Sequence, residues 1–332
     1  MADRAGGLRL AWERRDGDSA FCAVRELRSG RVAIALGCVD GDASGRSASH
    51  LAAALRAAGD DDLPPARALD DAGDALYRLD PAAIARCAYA VHDPVDGSLE
   101  LALAGDLGVL LVDGASAVAP GEAGPPIGGA STGGRRQSVR AWPADATLVL
   151  CTGPLDPRAW QRWWRGGVSP HVEGLPGLLL GRLPAAGAAV LAARPDALLA
   201  PRVATLPLTA EPAGVRRARE FVARTLQEWG LAGDQVERAR LVASELATNA
   251  VRYGGEQLSV HLALGPERLA VEVRDATSEL PRGATPGGEA EGGRGLLLVG
   301  SLAQDWGARP LHPHGKAVWC RLPGASPQPS HE

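Results

Sequence analysis

Residues 244–251 read Ser244-Glu245-Leu246-Ala247-Thr248-Asn249-Ala250-Val251, and two further stretches follow them in order. One is a strand-like run ending in Arg274-Asp275. The other is Glu291-Gly292-Gly293-Arg294-Gly295-Leu296-Leu297. Glu245 and Asn249 stand four residues apart, so on a helix they project from one side. That places a carboxylate beside an amide oxygen able to bind magnesium, the pairing a phosphoryl-transfer site needs. A single glutamate at a helix edge is ordinarily a solvated surface residue, and a glycine run is ordinarily a loop. The order and spacing of all three pieces give them meaning, and together they read as an ATP pocket.

Local signals around the three pieces agree with this reading. Asp234 with Glu237 reads as a capping box that opens a helix, whose apolar stripe is Ala239, Val242, Ala243, Leu246 and Ala250. Residues 258–264 and 269–273 alternate as strands around the turn Gly265-Pro266. Asp275 then falls at a strand end, where a carboxylate can accept a hydrogen bond from a ligand amine. Residues 281–295 hold six glycines, a composition suited to a lid. Residues 296–303 read as a helix whose glycine-preceded N-terminus offers free N–H groups to phosphate.

On these residues the chain from about 201 to 322 resembles the histidine-kinase-like ATPase domain of anti-sigma regulatory serine kinases. Glu-Leu-x-Thr-Asn-Ala-Val, the Arg-Asp step, Gly-Arg-Gly-Leu-Leu-Leu-Val and the closing Gly315-Lys316-Ala317-Val318-Trp319 occur in the family's order. The resemblance implies ATP and Mg2+ as ligands. It makes Glu245 the general base toward a substrate serine, Asn249 the magnesium ligand and Asp275 the reader of the adenine amine. Thr277, Gly293, Arg294, Gly295 and Leu296 complete the implied nucleotide contacts. The family pattern is broken at Tyr253, where histidine is common, and at Thr277, where glycine or serine is usual. It is broken again at Ala317, where a frequent threonine would help hold adenine through water. The implied partners are a sigma factor, which is sequestered, and a STAS-type anti-sigma-factor antagonist, which is phosphorylated on serine; family kinases also commonly form homodimers.

Composition narrows the possibilities from outside. The 332 residues suffice for two domains, and a net charge of -4 offers no electrostatic case for nucleic acid. No apolar run is long enough to span a bilayer, and the first residues lack a signal peptide's apolar core. The scattered cysteines Cys22, Cys38, Cys87, Cys151 and Cys320 form no Cys-x-x-Cys pair, which fits a reduced, cytoplasmic protein.

The first two hundred residues alternate strands with a pair of helices. Strands are expected at 19–27, 31–39, 85–93, 98–104, 109–112, 138–142, 147–152 and 188–193, and helices at 44–58 and 66–77. The pattern suggests an α+β sandwich. Over about 8–195 it resembles the metal-dependent serine/threonine phosphatases of the stage II sporulation E type, which hold two metal ions on aspartates at strand ends. The aspartates that the resemblance calls for are missing. The Gly-Asp-x-x-Asp step places Phe21 at a ligand position and the Gly-Asp-Val step places Cys38. The Thr-Asp-Gly step places Gly153, and the late Asp-Asp pair reads Ala186-Gly187. Asp40 and Asp42 are left as displaced candidates. Phe21 and Cys38 are expected to fill the cavity the ions would leave, which makes the domain a pseudophosphatase. The run Trp160-Gln161-Arg162-Trp163-Trp164-Arg165 reads either as a helix covering the sheet or as a contact surface for another protein.

The expected fold is thus α+β: an α-β-β-α phosphatase-like sandwich over 1–198, then an α/β sandwich of the histidine-kinase-like ATPase (Bergerat) type over 199–323. A disordered tail is expected at 324–332. The corresponding function is an ATP-dependent serine/threonine protein kinase and anti-sigma factor with a dead phosphatase-like regulatory domain. Two other readings stay open: a non-catalytic ATP-gated binding protein, and an active metal-dependent phosphatase.

Overall fold

The computed structural model describes residues 2–323 apart from 6, 16–18, 43, 115, 129–134, 154, 156, 164–170, 184–188, 197, 199, 267 and 282–293. The chain divides into two compact units, Met1–Ala200 and Pro201–Glu332. The expected tail at 324–332 lies outside the described residues.

The first unit begins with β1 (Ala2–Ala5), β2 (Leu8–Arg14), β3 (Ala20–Glu26), β4 (Val32–Val39), α1 (Arg46–Asp60) and α2 (Pro65–Leu79). It continues with β5 (Ala85–Asp93), β6 (Ser98–Ala104), β7 (Gly108–Asp113), β8 (Ser116–Val118), β9 (Gln137–Ala141) and β10 (Thr147–Cys151). The short helices α3 (Pro157–Trp163) and α4 (Leu175–Leu180) precede β11 (Ala189–Pro195). The strands form two antiparallel sheets, β1-β2-β11-β10-β7-β8 and β3-β4-β5-β6-β9.

Side-chain alternation builds the layers. On β4, Val32, Ile34, Leu36 and Cys38 enter the core between the sheets, and Ala33, Ala35 and Val39 enter the core under α1 and α2. A strand covered on both faces needs a continuous apolar run, and Val32-Ala33-Ile34-Ala35-Leu36 supplies it. Helix α1 answers with Ala48, Leu51, Ala52, Leu55 and Ala58, one apolar stripe at helical spacing. On the other sheet, Trp160 of α3 is buried among Leu110, Val112 and Val149 and donates from Nε1 to the Gly114 carbonyl at 3.1 Å. Trp160 therefore covers a sheet; Trp164 and Arg165 lie outside the described residues. The layers run α-β-β-α.

The second unit comprises β12 (Arg202–Thr209), α5 (Pro212–Glu228), α6 (Asp234–Tyr253), β13 (Gln257–Leu264), β14 (Arg268–Asp275), α7 (Arg294–Leu302), β15 (Asp305–Pro310) and β16 (Lys316–Pro323). The antiparallel sheet runs β12-β13-β14-β16-β15. One of its faces, including Leu258, Val260, Leu262, Val271, Val273, Val318 and Cys320, packs against apolar residues of α5, α6 and α7.

The capping box expected at Asp234 and Glu237 does not form. The N-cap is Gly233, whose φ of 60° and ψ of -133° favour glycine, and it makes no side-chain cap. Asp234 is already inside the helix and pairs with Arg238 at 2.8 Å, while Glu237 pairs with Arg240 at 2.7 Å. A capping box needs its acceptor one residue before the first helical position, and the turn at Gly233 starts the helix there instead. Both acids still face the positive end of the helix dipole.

Candidate nucleotide site

Helix α6 buries Val236, Ala239, Val242, Ala243, Leu246, Ala247 and Ala250. That leaves Glu245 and Asn249 half-buried at the stripe's edge. Neither side chain has a hydrogen-bond partner among the described residues, so the carboxylate and the amide are both free for a ligand. Opposite them stands the first turn of α7. A Cβ built on Gly295 would lie 2.6 Å from Glu245 Oε2, so the helix starts directly against the carboxylate. Leu296 anchors that turn; its side chain is buried in the core, which leaves its backbone as the part able to meet a phosphate. Gly293 lies outside the described residues, and Arg294 opens α7.

Asp275 ends β14, directly across from Lys316 of β16. Its Oδ1 accepts from the Thr277 backbone N–H at 2.9 Å and from Lys316 Nζ at 2.9 Å. The Thr277 hydroxyl lies 2.8 Å from the same oxygen and 3.2 Å from the Tyr253 carbonyl, with one proton to share between them. Thr277 thus orients Asp275. The end of α6 is pressed against this carboxylate: a Cβ on Gly254 would lie 2.7 Å from both Asp275 Cβ and Cγ and 2.5 Å from the Ala250 carbonyl oxygen.

Gly254→Ala should therefore displace Asp275, weakening nucleotide binding about tenfold or more and costing about 1–3 kcal/mol of stability through overpacking. Calorimetry with MgADP, set beside urea unfolding, checks both effects. Wild-type affinity in that variant would show that the helix end does not position Asp275.

The structure corrects one departure noted in the sequence. Ala317 is in register with Arg274, not with Asp275, and strand alternation turns it to the sheet face away from the helices. Residue 316 is the one that faces Asp275. The sequence reading includes Lys316 in the closing motif but gives it no role, although a lysine opening the apolar run Ala317-Val318-Trp319-Cys320 is a visible signal, since a buried ammonium needs a carboxylate.

In the first unit, the residues at the implied metal positions separate. Cys38 lies in the core between the sheets and Phe21 in the core under α1, on opposite faces of one sheet. The expectation that they fill one cavity fails because Phe21 is in register with Gly37, whose missing side chain admits the ring: a Cβ there would lie 2.8 Å from Phe21 Cζ. Gly153 is buried, its N–H donating to Cys151 Sγ at 3.3 Å, and Gly187 lies outside the described residues. Asp42 is committed to the start of α1, accepting from the Ala48 N–H at 2.8 Å and from Ser44 Oγ at 3.0 Å.

A cation of the chain's own stands in this region. Arg86 is in register with Cys38, binds Asp40 Oδ1 through Nη2 at 3.0 Å and donates from Nη1 to the Thr152 carbonyl at 3.2 Å. Partial burial works against its charge, and Cys38, Asp40 and Asp106 outweigh it, raising its pKa above the usual value. Gly105, at φ 77°, makes room for the stem, since a Cβ there would fall 2.5 Å from Arg86 Cγ. Among the described residues no cluster of three or more His, Cys, Asp or Glu side chains could hold a metal ion. Paired divalent ions require converging carboxylates, and a buried thiol beside a guanidinium does not suit them.

Comparison with known proteins places both units. Residues 208–322 match the family described as histidine kinase-like ATPase domain, and residues 28–164 match stage II sporulation protein E. No curated protein matches the chain. Among solved structures, the RsbU and RsbW domains of Rv1364c from Mycobacterium tuberculosis are similar at 18% identity, covering 96% of this chain and 94% of that one with a TM-score of 0.48. The PP2C phosphatase domain of SpoIIE from Bacillus subtilis, with a fragment of its regulatory domain, is similar at 13% identity over 57% of this chain and 64% of that one, TM-score 0.48. The SiaA-PP2C domain of Pseudomonas aeruginosa aligns at 18% identity over 57% and 87%, TM-score 0.45. No helix among the described residues is long and apolar enough to cross a membrane.

Proposed function

We propose that this chain, which joins a stage II sporulation protein E-type unit to a histidine kinase-like ATPase unit, is an ATP-dependent protein serine kinase of the anti-sigma type whose phosphatase-like unit is not catalytic. The observation that carries the reading is the meeting of distant segments. Glu245 of α6 lies against Gly295 at the start of α7, and Asp275 is held at the end of β14 by the turn of α6 into β13.

Each residue has a defined task. Asp275 accepts a hydrogen bond from the base amine. The free N–H groups at the first turn of α7 receive phosphate oxygens. Asn249 would hold Mg2+, which supplies charge neutralisation on the phosphates when bound. Glu245, with no hydrogen-bond partner among the described residues, takes the proton from an acceptor serine as that oxygen attacks the γ-phosphorus of ATP and the bond to the departing ADP breaks. Such transfer is chiefly positioning and electrostatics, which suits a site built from backbone N–H groups and three polar side chains.

Incubation with labelled ATP and candidate STAS-type anti-sigma-factor antagonists tests the proposal, with label expected on a serine of one antagonist. Nucleotide binding without transfer to any of them would leave a nucleotide-gated binding protein instead.

The first unit is expected to show no manganese- or magnesium-dependent turnover of phosphoserine proteins. Cys38→Asp alone should not restore it, because Arg86 stays within reach of Asp40 and the remaining ligands are absent. Metal-dependent hydrolysis by the wild type, measured by phosphate release with and without chelator, would overturn this half of the proposal.

A further inference from the structure

Lys316 has no part in the reading given so far. Its side chain is 7% exposed and that of its partner Asp275 is 2% exposed, so this ion pair is enclosed. Enclosed charges are tolerated when every donor and acceptor is used. Here two are not. An ammonium carries three N–H groups; one goes to Asp275 Oδ1 and one to the Thr277 hydroxyl, and the third has no acceptor among the described residues. Asp275 Oδ1 collects the Thr277 N–H, the Lys316 ammonium and a share of the Thr277 hydroxyl, while Oδ2 receives no donor among the described residues. The pair therefore offers one unused acceptor beside one unused donor.

We propose that Asp275 and Lys316 read the base together, and that Lys316 sets its identity. Asp275 Oδ2 accepts from an exocyclic amine, and Lys316 donates its remaining proton to the neighbouring ring nitrogen. Adenine offers that order of groups at N6 and N1. Hypoxanthine and guanine place a carbonyl where the amine should be and an N–H where the ring acceptor should be. In the same pose they set carbonyl against carboxylate and N–H against ammonium. A carboxylate alone distinguishes the amine; the lysine adds rejection at the second atom, because mismatched buried polar groups are costly. Lys316 acts from the position in register with Asp275, where a strand residue faces the pocket.

The inference rests on the nucleotide-pocket reading, and the test separates the two. Calorimetry on the full chain compares MgADP, MgIDP and the 1-deaza analogue of MgADP, in which the ring nitrogen becomes C–H. The wild type should bind ADP about ten- to hundredfold more tightly than the 1-deaza analogue, the worth of a charged hydrogen bond. IDP should bind more weakly still. In Lys316→Met, ADP should weaken to the level of the analogue, and the penalty for removing N1 should vanish. Lys316→Arg, which keeps a charged donor, should preserve part of it. A folded Lys316→Met variant that still discriminates ADP from the 1-deaza analogue would overturn the role of Lys316 and leave the pocket intact. If neither lysine variant folds, equal wild-type affinity for ADP and the analogue would overturn it alone. Binding of no nucleotide by the wild type would sink the pocket reading itself.

Discussion

Glu245→Ala is expected to lower phosphate transfer to an acceptor serine about 10²–10⁴-fold, the usual contribution of a positioned general base, while nucleotide binding stays nearly unchanged. The separation follows from place. Asp275, at the end of β14, lies beside the C-terminal end of α6, whereas Glu245 lies two helical turns earlier in that helix against the start of α7. Removing a carboxylate from beside a helix N-terminus also forfeits a dipole interaction of about 0.3–1 kcal/mol, too little to unfold the domain. Glu245→Gln provides the control, keeping the shape and a polar contact but losing the basic oxygen. Single-turnover transfer and MgADP affinity should be measured on both variants. Loss of transfer in Glu245→Ala with full activity in Glu245→Gln would make the residue a spacer and remove the general-base role.

Glu272→Gln is expected to destabilise the second unit by about 3–5 kcal/mol, the cost of leaving a buried charge without its partner. Glu272 occupies the sheet face turned away from the helices. Its Oε2 lies 3.1 Å from Arg309 Nη1 and its Oε1 2.5 Å from Arg274 Nε, with Glu272 6% and Arg309 2% exposed at the side chain. Burial alone would raise this carboxyl, but Arg309 first and Arg274 next overcome it and hold it down at about 2. The sign follows: a folded-state pKa below the unfolded one contributes stability above the ordinary carboxylate range, lost as pH falls toward 2. Urea midpoints between pH 7 and pH 3 should decline in the wild type, and the decline should be smaller in Glu272→Gln. A variant within 1 kcal/mol of wild type at pH 7 would mean that the arginines find compensation elsewhere.

The two expectations differ in how they arose. Glu245 was legible as a candidate from its spacing to Asn249 and from the glycine run downstream. Glu272 was not, because an acid between Val271 and Val273 looks like an outward-facing strand residue, and only the tertiary structure brings Arg309 of β15 against it. The strands at 85–93 and 98–104 coincide with β5 and β6, since both are largely apolar runs of strand length bounded by turn residues. β2 and β15 were not anticipated. β2 owes its place to pairing with β11, nearly the whole unit away in sequence, and β15 to pairing with β16.

From the amino-acid order alone came the α+β class, the helix carrying Glu245 and Asn249, and the shortage of carboxylates at the phosphatase positions. These depend on spacing along one element or on residue type, which need no partner to be read. The tertiary structure decided which residues meet. It set Lys316 rather than Ala317 against Asp275, Phe21 and Cys38 on opposite faces of one sheet, and Arg86 beside Asp40. Each depends on strand register, where a shift of one residue exchanges the two faces of a sheet. That register is set by each strand's pattern together with the turns and partner strands it packs against, and the partners are known only from the tertiary structure.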